Sequence, residues 1–214
     1  MSLFVDPAPR RPGKPETRRR IAEAAAELIA EQGYAATSLQ RIAQAANVHV
    51  QTIFLIYGTK LAVLEAATRV VVAGPDDFEG LGREWTWVAD LQNDPDPVSQ
   101  LRRYAHHVRT LADRAGPLTG EIRSAARSDP EVAAFLAELS TSRFRGPSGI
   151  ANRLHNMGAL RPGLDPVTAA DTLHAISGYE SYDALVRDRR WTPEDYEQWL
   201  GDLFCRTLLG RSTT

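Results

Sequence analysis

Side chains of the types that read DNA bases stand close together in residues 49–55. The amide of Gln51 can pair with N6 and N7 of adenine through two hydrogen bonds. Val50 and Thr52 can contact the methyl group of thymine. The chemistry that this cluster supports is recognition of base edges, and we predict that it reads DNA.

Groups suited to phosphate oxygens lie on either side of this cluster. Thr37 and Ser38 carry hydroxyls, and Lys60 carries an ammonium group. The two hydroxyls also stand where a helix needs a cap for its free N–H groups. Capping and phosphate contact are compatible, so we expect both.

Two short helices joined by a tight turn must position these side chains. Apolar residues at helical spacing predict a first helix that begins after Thr37 or Ser38. Asn47 ends it, since Asn tolerates the left-handed conformation past a helix end. A second helix is predicted over 50–57, with Gly58 as its stop signal.

A helix, a tight turn and a second helix form a helix-turn-helix, whose second helix enters the major groove. A further helix is predicted from Lys60, with Thr59 as its cap. Val48, Ile53 and Tyr57 are expected to face the core. The residues left toward the groove are His49, Val50, Gln51, Thr52, Phe54 and Leu55.

Together with the helix before it, this stretch resembles the DNA-binding domain of the TetR/AcrR family of transcriptional regulators. The resemblance implies an all-α protein with an N-terminal three-helix helix-turn-helix domain and a larger C-terminal helical domain for ligand binding and dimerisation. The residues that carry it are Gly33-Tyr34, Thr37-Ser38, Arg41-Ile42-Ala43, Val48, Thr52-Ile53-Phe54 and Tyr57-Gly58-Thr59-Lys60.

The predicted reading helix departs from the family pattern. His49 stands where Ser or Thr is usual, so the N-cap is weaker. Phe54 stands where Tyr is usual and lacks the hydroxyl that often reaches a phosphate. Ile56 and Tyr57 stand where His or Tyr, and then Phe, are usual. These differences bear on affinity and operator sequence and leave the fold expectation unchanged.

The charge is distributed unevenly along the chain. Residues 1–60 carry 8 Lys/Arg and 5 Asp/Glu (+3), and residues 61–214 carry 17 and 22 (−5), which together give the net −2. A basic first segment suits contact with phosphates. Arg10, Arg11 and Lys14 stand among prolines, so this stretch is either an idle disordered tail or an arm that reaches DNA.

The patterns divide the chain into a basic, proline-rich arm (1–15), a DNA-binding domain (16–60) and a helical ligand-binding and dimerisation domain (61–214). No apolar run approaches the ~20 residues that span a bilayer, and no signal peptide is recognisable. We therefore expect a cytoplasmic protein without membrane contact. Beyond residue 60, helices are predicted over 60–72, 98–114, 118–128, 130–145, 150–158, 165–188 and from 193 onward.

The resemblance implies a small-molecule effector held beside the helix over 60–72. Such pockets are mostly apolar with a few polar groups, so we expect a largely apolar effector. Trp85 and Trp87 either line the pocket or anchor a loop to the core, and the anchor is the interpretation that we favour. The candidate lining residues are Trp85, Trp87, Tyr104, His107, Leu111, Ile122, Arg123 and Phe135.

Family members pair through their last two helices across a twofold axis, so the resemblance implies a homodimer. The corresponding helices here are amphipathic. The interface residues implied in this way are Leu173, Ile176, Tyr179, Tyr182, Leu185, Trp199, Leu200, Leu203, Phe204 and Leu208.

These observations favour a ligand-responsive repressor that binds a palindromic operator in double-stranded DNA as a homodimer and is released by a small molecule. No cofactor or metal is expected, because the sequence has no His-Glu-x-x-His run, Gly-rich phosphate loop or nucleophile elbow. The same absences argue against an enzyme. The departures at His49, Phe54 and Ile56 keep one alternative open, a helical homodimeric ligand- or protein-binding module with a vestigial DNA head.

Overall fold

The computed structural model describes residues 15–73 and 94–209. These residues are predominantly helical, with one isolated antiparallel bridge between Leu160 and Leu209. The all-α expectation is confirmed. The helices are α1 (Pro15–Gln32), α2 (Leu39–Ala45), α3 (Val50–Ile56), α4 (Lys60–Ala73), α5 (Pro97–Ala125), α6 (Pro130–Arg143), α7 (Arg145–Asn156), α8 (Pro166–Ile176), α9 (Tyr179–Tyr182) with a π-helical continuation (Asp183–Asp188), and α10 (Pro193–Leu208).

The described residues form two compact units. The first contains 15–73 and 114–139, and the second contains 94–113 and 140–209. Within these ranges, no helix combines the length and apolar character needed to cross a membrane.

A single apolar core holds the first unit together. Ile21, Ile29 and Ile53 from α1 and α3 are fully buried, and Ile122 and Phe135 from α5 and α6 belong to the same cluster. Burial of each such side chain contributes roughly 1.5–3 kcal/mol. The core of the first unit therefore includes residues beyond position 60, where the sequence predicts the end of the DNA-binding domain. That domain boundary stays a prediction.

Helix α5 runs unbroken through Pro117, where the sequence predicts two helices over 98–114 and 118–128. Proline removes one backbone hydrogen bond, here the one from position 117 to the Asp113 carbonyl. The other backbone hydrogen bonds of this long helix keep it continuous at Pro117. The prediction of two helices is wrong.

The predicted interruption over 146–149 is also wrong. The helix is interrupted at Phe144, and Gly146 and Pro147 lie in the first turn of α7. The N–H groups of a first turn have no intrahelical acceptor, so a proline there costs no hydrogen bond. Position within the helix decides the effect of Pro147.

The predicted helix over 165–188 is divided in two. Asp165 caps α8 by accepting from the N–H groups of Val167 and Thr168, but α8 ends at Ile176. The Ser177 hydroxyl donates to the Leu173 carbonyl at 2.6 Å. The chain turns there and becomes helical again in α9.

Part of the implied dimer interface is the core of the second unit. Along α10, side chains four residues apart face inward, and Leu200, Phe204 and Leu208 are fully buried. Leu173, Tyr179 and Tyr182 are buried as well. These six side chains are covered within their own subunit, and their assignment to an interface stays a prediction. The half-buried candidates are Ile176, Leu185, Trp199 and Leu203.

Candidate nucleic-acid interface

The turn between α2 and α3 is built from local backbone signals. The Ser38 hydroxyl caps α2 by accepting from the Arg41 N–H at 3.2 Å. Asn47 has a φ of +50°, the left-handed conformation that reverses the chain. The Val48 N–H then donates to the Ala43 carbonyl at 2.9 Å. The predicted helix-turn-helix is confirmed within one residue at its helix ends.

The inner side of α3 is fixed to the core of the first unit. Ile53 is fully buried, and Val48, Ile56 and Tyr57 pack against the same cluster. The Tyr57 hydroxyl donates to the Arg18 carbonyl at 2.8 Å. The end of α3 is thereby tied to the start of α1.

The outer side of α3 presents a mixture of polar and apolar groups. His49, Gln51, Phe54 and Leu55 are exposed. His49 is the N-cap residue and makes no side-chain capping bond, as its type predicts. Phe54 is 49% and Leu55 59% exposed, which is high for large apolar side chains.

Val50 and Thr52 are only half-buried, and Val50 packs against the core cluster. Their contribution to base reading stays a prediction. The exposed apolar area of α3 lies on its C-terminal half, at Phe54 and Leu55.

Thr37 faces inward. It is 1% exposed, and its hydroxyl donates to the Gly33 carbonyl at 2.8 Å and the Leu28 carbonyl at 3.3 Å. A hydroxyl used in this way is not presented to a phosphate. Thr37 therefore holds the connection between α1 and α2, whereas Ser38 is the cap and is half-exposed.

Lys60 lies against Tyr34. Its ammonium donates to the Tyr34 carbonyl and sits 4.2 Å from the centre of the Tyr34 ring. Burial lowers the pKa of Lys60, and the nearby Asp129 carboxylate opposes that change. Burial likewise raises the pKa of the Tyr34 phenol to about 12, with Asp129 and Glu131 adding to the effect. Contact between Lys60 and a phosphate stays a prediction.

The helix-turn-helix contains no acidic side chain. Between Thr37 and Lys60 the sequence has neither Asp nor Glu, and Arg41 in α2 is exposed. The segment itself therefore adds no negative charge that would repel a polyanion.

Comparison with known proteins shows a family match over the helix-turn-helix. Residues 21–67 match the family model for bacterial regulatory proteins of the tetR family. Over these residues the chain is similar to the tetR family. The match covers α2, α3 and the turn between them, together with most of α1 and half of α4.

Known transcriptional regulators resemble this chain over most of its length. An uncharacterised HTH-type transcriptional regulator of Bacillus subtilis, YdeS, is 27% identical over 83% of this chain and 88% of its own. A putative transcriptional regulator from Saccharomonospora viridis, solved in complex with choline, shares the fold with a TM-score of 0.71 and 22% identity, covering 92% of this chain and 100% of that one. NalD of Pseudomonas aeruginosa, the secondary repressor of the MexAB-OprM multidrug efflux pump, has a TM-score of 0.67 and 22% identity, covering 92% and 96%.

The candidate pocket residues are divided between the two units. Tyr104, His107 and Leu111 belong to the second unit, and Ile122, Arg123 and Phe135 belong to the first. Ile122 and Phe135 are buried in the core cluster of the first unit. Trp85 and Trp87 lie outside the described residues. The pocket stays a prediction.

The sequence reasoning missed polar groups inside the second unit. Arg143 donates to the Ser177 carbonyl at 3.3 Å and lies 4.9 Å from the centre of the Tyr179 ring. Burial raises the pKa of the Tyr104 phenol to about 12, although a hydrogen bond with Ser177 opposes this. The Nδ1 atom of His174 is buried without a hydrogen-bond partner. None of these groups belongs to a sequence motif. Among the described residues, no group of three or more His, Cys, Asp or Glu side chains is placed to bind a metal.

Proposed function

We propose that the chain is a ligand-responsive repressor that binds a palindromic operator as a homodimer in the cytoplasm and is released by a small molecule. The observation that carries the proposal is the outer face of α3, which presents Gln51 on a helix-turn-helix free of acidic residues. An exposed amide in that place suits bidentate pairing with adenine.

A single α3 reads only half of a palindrome. Helix-turn-helix dimers place their second helices in successive major grooves, roughly 34 Å apart. A homodimer with this spacing would bind two half-sites related by the same twofold axis. The half-buried apolar residues Trp199 and Leu203 on α10 are the side chains that we assign to the interface.

We assign effector binding to the helical domain that follows the helix-turn-helix. The fold neighbours include a regulator in complex with choline, which supports a small-molecule effector, and a repressor of a multidrug efflux pump, which supports a repressor role. A ligand can shift the equilibrium between DNA-binding and released states only by its difference in affinity for the two. We expect a largely apolar ligand with a few polar groups.

The test is fluorescence anisotropy on the DNA upstream of the coding sequence, with a scrambled duplex of the same composition as control. We expect tight binding that is specific over the control and weakens steeply as salt rises. Compounds would then be screened for loss of the bound signal. If the protein binds both duplexes equally, the next experiment is a selection of binding sites from a random DNA library.

The rival function is a ligand- or protein-binding module whose DNA head is vestigial. The uncapped start of α3 at His49 is the observation that favours it. Failure to enrich any sequence from the random library at low salt would establish that alternative over the repressor.

A further inference from the structure

We propose that Phe54 and Leu55 read thymine methyl groups, so that α3 recognises its half-site mainly through A·T base pairs. The inference rests on the proposed DNA-binding function and specifies the bases that the helix reads. It starts from two neighbouring apolar side chains that are 49% and 59% exposed on the outer face of α3.

The composition of α3 limits what it can read. Val50–Ile56 contains no charged residue. Guanine is read most often by Arg or Lys at O6 and N7, and the amino group of cytosine by Asp or Glu. Neither type is present in α3. Apart from the Thr52 hydroxyl, which does not discriminate between bases, the side chains that remain are an amide, which suits adenine, and apolar groups, which suit the thymine methyl.

The spacing places both kinds of reader on one face. Phe54 and Leu55 follow Gln51 by three and four residues, so all three side chains are neighbours on the helix surface. All three are exposed. In the major groove an A·T pair presents the adenine N6 and N7 atoms and the thymine methyl together. Gln51 therefore suits the adenine of an A·T pair, and the neighbouring Phe54 and Leu55 suit the methyl group of its thymine.

The surroundings of Phe54 and Leu55 favour DNA as the occupant of this face. No carboxylate lies between Thr37 and Lys60, and exposed Arg41 adds a positive charge from α2. Apolar side chains on a segment without acidic residues complement a groove whose walls are phosphates and whose floor carries methyl groups.

The experiment compares thymine with uracil, which lacks the methyl group. A duplex is selected with the full-length protein from a random library and resynthesised with each thymine replaced in turn by uracil. We expect an A·T-rich half-site and an affinity loss of about fourfold for each contacted methyl group. Replacing a cytosine by 5-methylcytosine outside the contacted positions should have no effect.

Variants assign the methyl contact to its side chains. Phe54→Ala and Leu55→Ala should each bring the thymine-to-uracil affinity ratio close to one at the position they read. Gln51→Ala is the matched control on the same face, and it should lose adenine preference but keep the uracil effect. Thermal unfolding checks that each variant is folded. The uracil series with the unmodified protein tests the methyl contact even if a variant does not fold.

The outcomes separate this inference from the function on which it rests. A selected site that is G·C-rich or insensitive to uracil overturns the methyl reading and leaves DNA binding intact. A uracil effect that persists in both alanine variants assigns the contact to another residue and also overturns it. Enrichment of no sequence overturns both proposals.

Discussion

The hydroxyl of Tyr57 donates a 2.8 Å hydrogen bond to the backbone carbonyl of Arg18. The bond joins the end of α3 to the first turns of α1 across 39 positions of sequence. The Arg18 guanidinium also lies 5.8 Å from the centre of the Tyr57 ring. The orientation of the reading helix is thus fixed by a polar contact in addition to the packing of Ile53.

Tyr57→Phe removes this bond and keeps the ring. We expect the free energy of unfolding to fall by about 1 kcal/mol, the usual net value of one hydrogen bond. Urea unfolding followed by circular dichroism measures the change, with the exposed Gln198→Ala on α10 as a control that should have no effect. An unchanged urea midpoint would mean that packing alone holds the end of α3.

Ser38→Ala and Thr37→Val separate two adjacent hydroxyls. Ser38→Ala removes the cap of α2 and should cost about 1 kcal/mol of stability. Thr37→Val removes a buried hydroxyl that donates to two backbone carbonyls, and we expect a loss of roughly 1–3 kcal/mol. Unfolding experiments measure the loss in free energy of unfolding for both variants. A smaller loss for Thr37→Val than for Ser38→Ala would contradict a structural role for the inward-facing Thr37 hydroxyl.

Gln51→Ala tests base reading by the amide. The variant should relax the choice of adenine at one position of each half-site and cost on the order of 1–3 kcal/mol in binding to the selected operator. Stability should not change, because the side chain is exposed. A binding-site selection that returns the same preference for both proteins would remove Gln51 from the list of base readers.

The helix-turn-helix could be predicted because its signals are local. The cap at Ser38, the left-handed turn at Asn47 and the stop at Gly58 each act within a few residues of themselves. The inward direction of Thr37 could not be predicted in this way. It depends on the carbonyls of Gly33 and Leu28, which only the folded connection brings to its hydroxyl.

The prolines were misleading because the sequence shows their identity but not their place in a helix. Pro117 lies inside the long helix α5, which continues past it, and Pro147 lies in the first turn of α7. The implied dimer interface has a different ambiguity. An apolar stripe such as Leu200, Phe204 and Leu208 can face either the core or a partner, and periodicity does not distinguish the two.

His174 should make stability depend on pH. Burial lowers its pKa below the ordinary 6.5, and the positive charge of Arg143 adds to this. Between the lowered pKa and 6.5 the unfolded chain binds more protons than the folded one, so this contribution to stability is lost as the pH falls through that window. Urea unfolding at pH 7.5 and at steps down to pH 5 measures the loss.

The His174→Gln variant should show a smaller fall in stability over the same range. His155→Gln is the matched control, since His155 is exposed on α7, and it should keep the fall seen in the unmodified protein. Identical pH profiles for all three proteins would show that His174 does not contribute.

The half-buried apolar residues of α10 should determine the oligomeric state. Trp199 and Leu203 flank the inward stripe, and each retains surface that the subunit does not cover. Light scattering of the unmodified protein should give twice the 23.6 kDa of one chain. Leu203→Arg places a charge in the proposed interface, which is costly unless the charge is paired, so we expect a shift toward one chain. Val167→Arg, an equivalent change at a side chain that is 67% exposed on α8, should remain dimeric. The reverse pattern would move the interface from α10 to the surface around Val167.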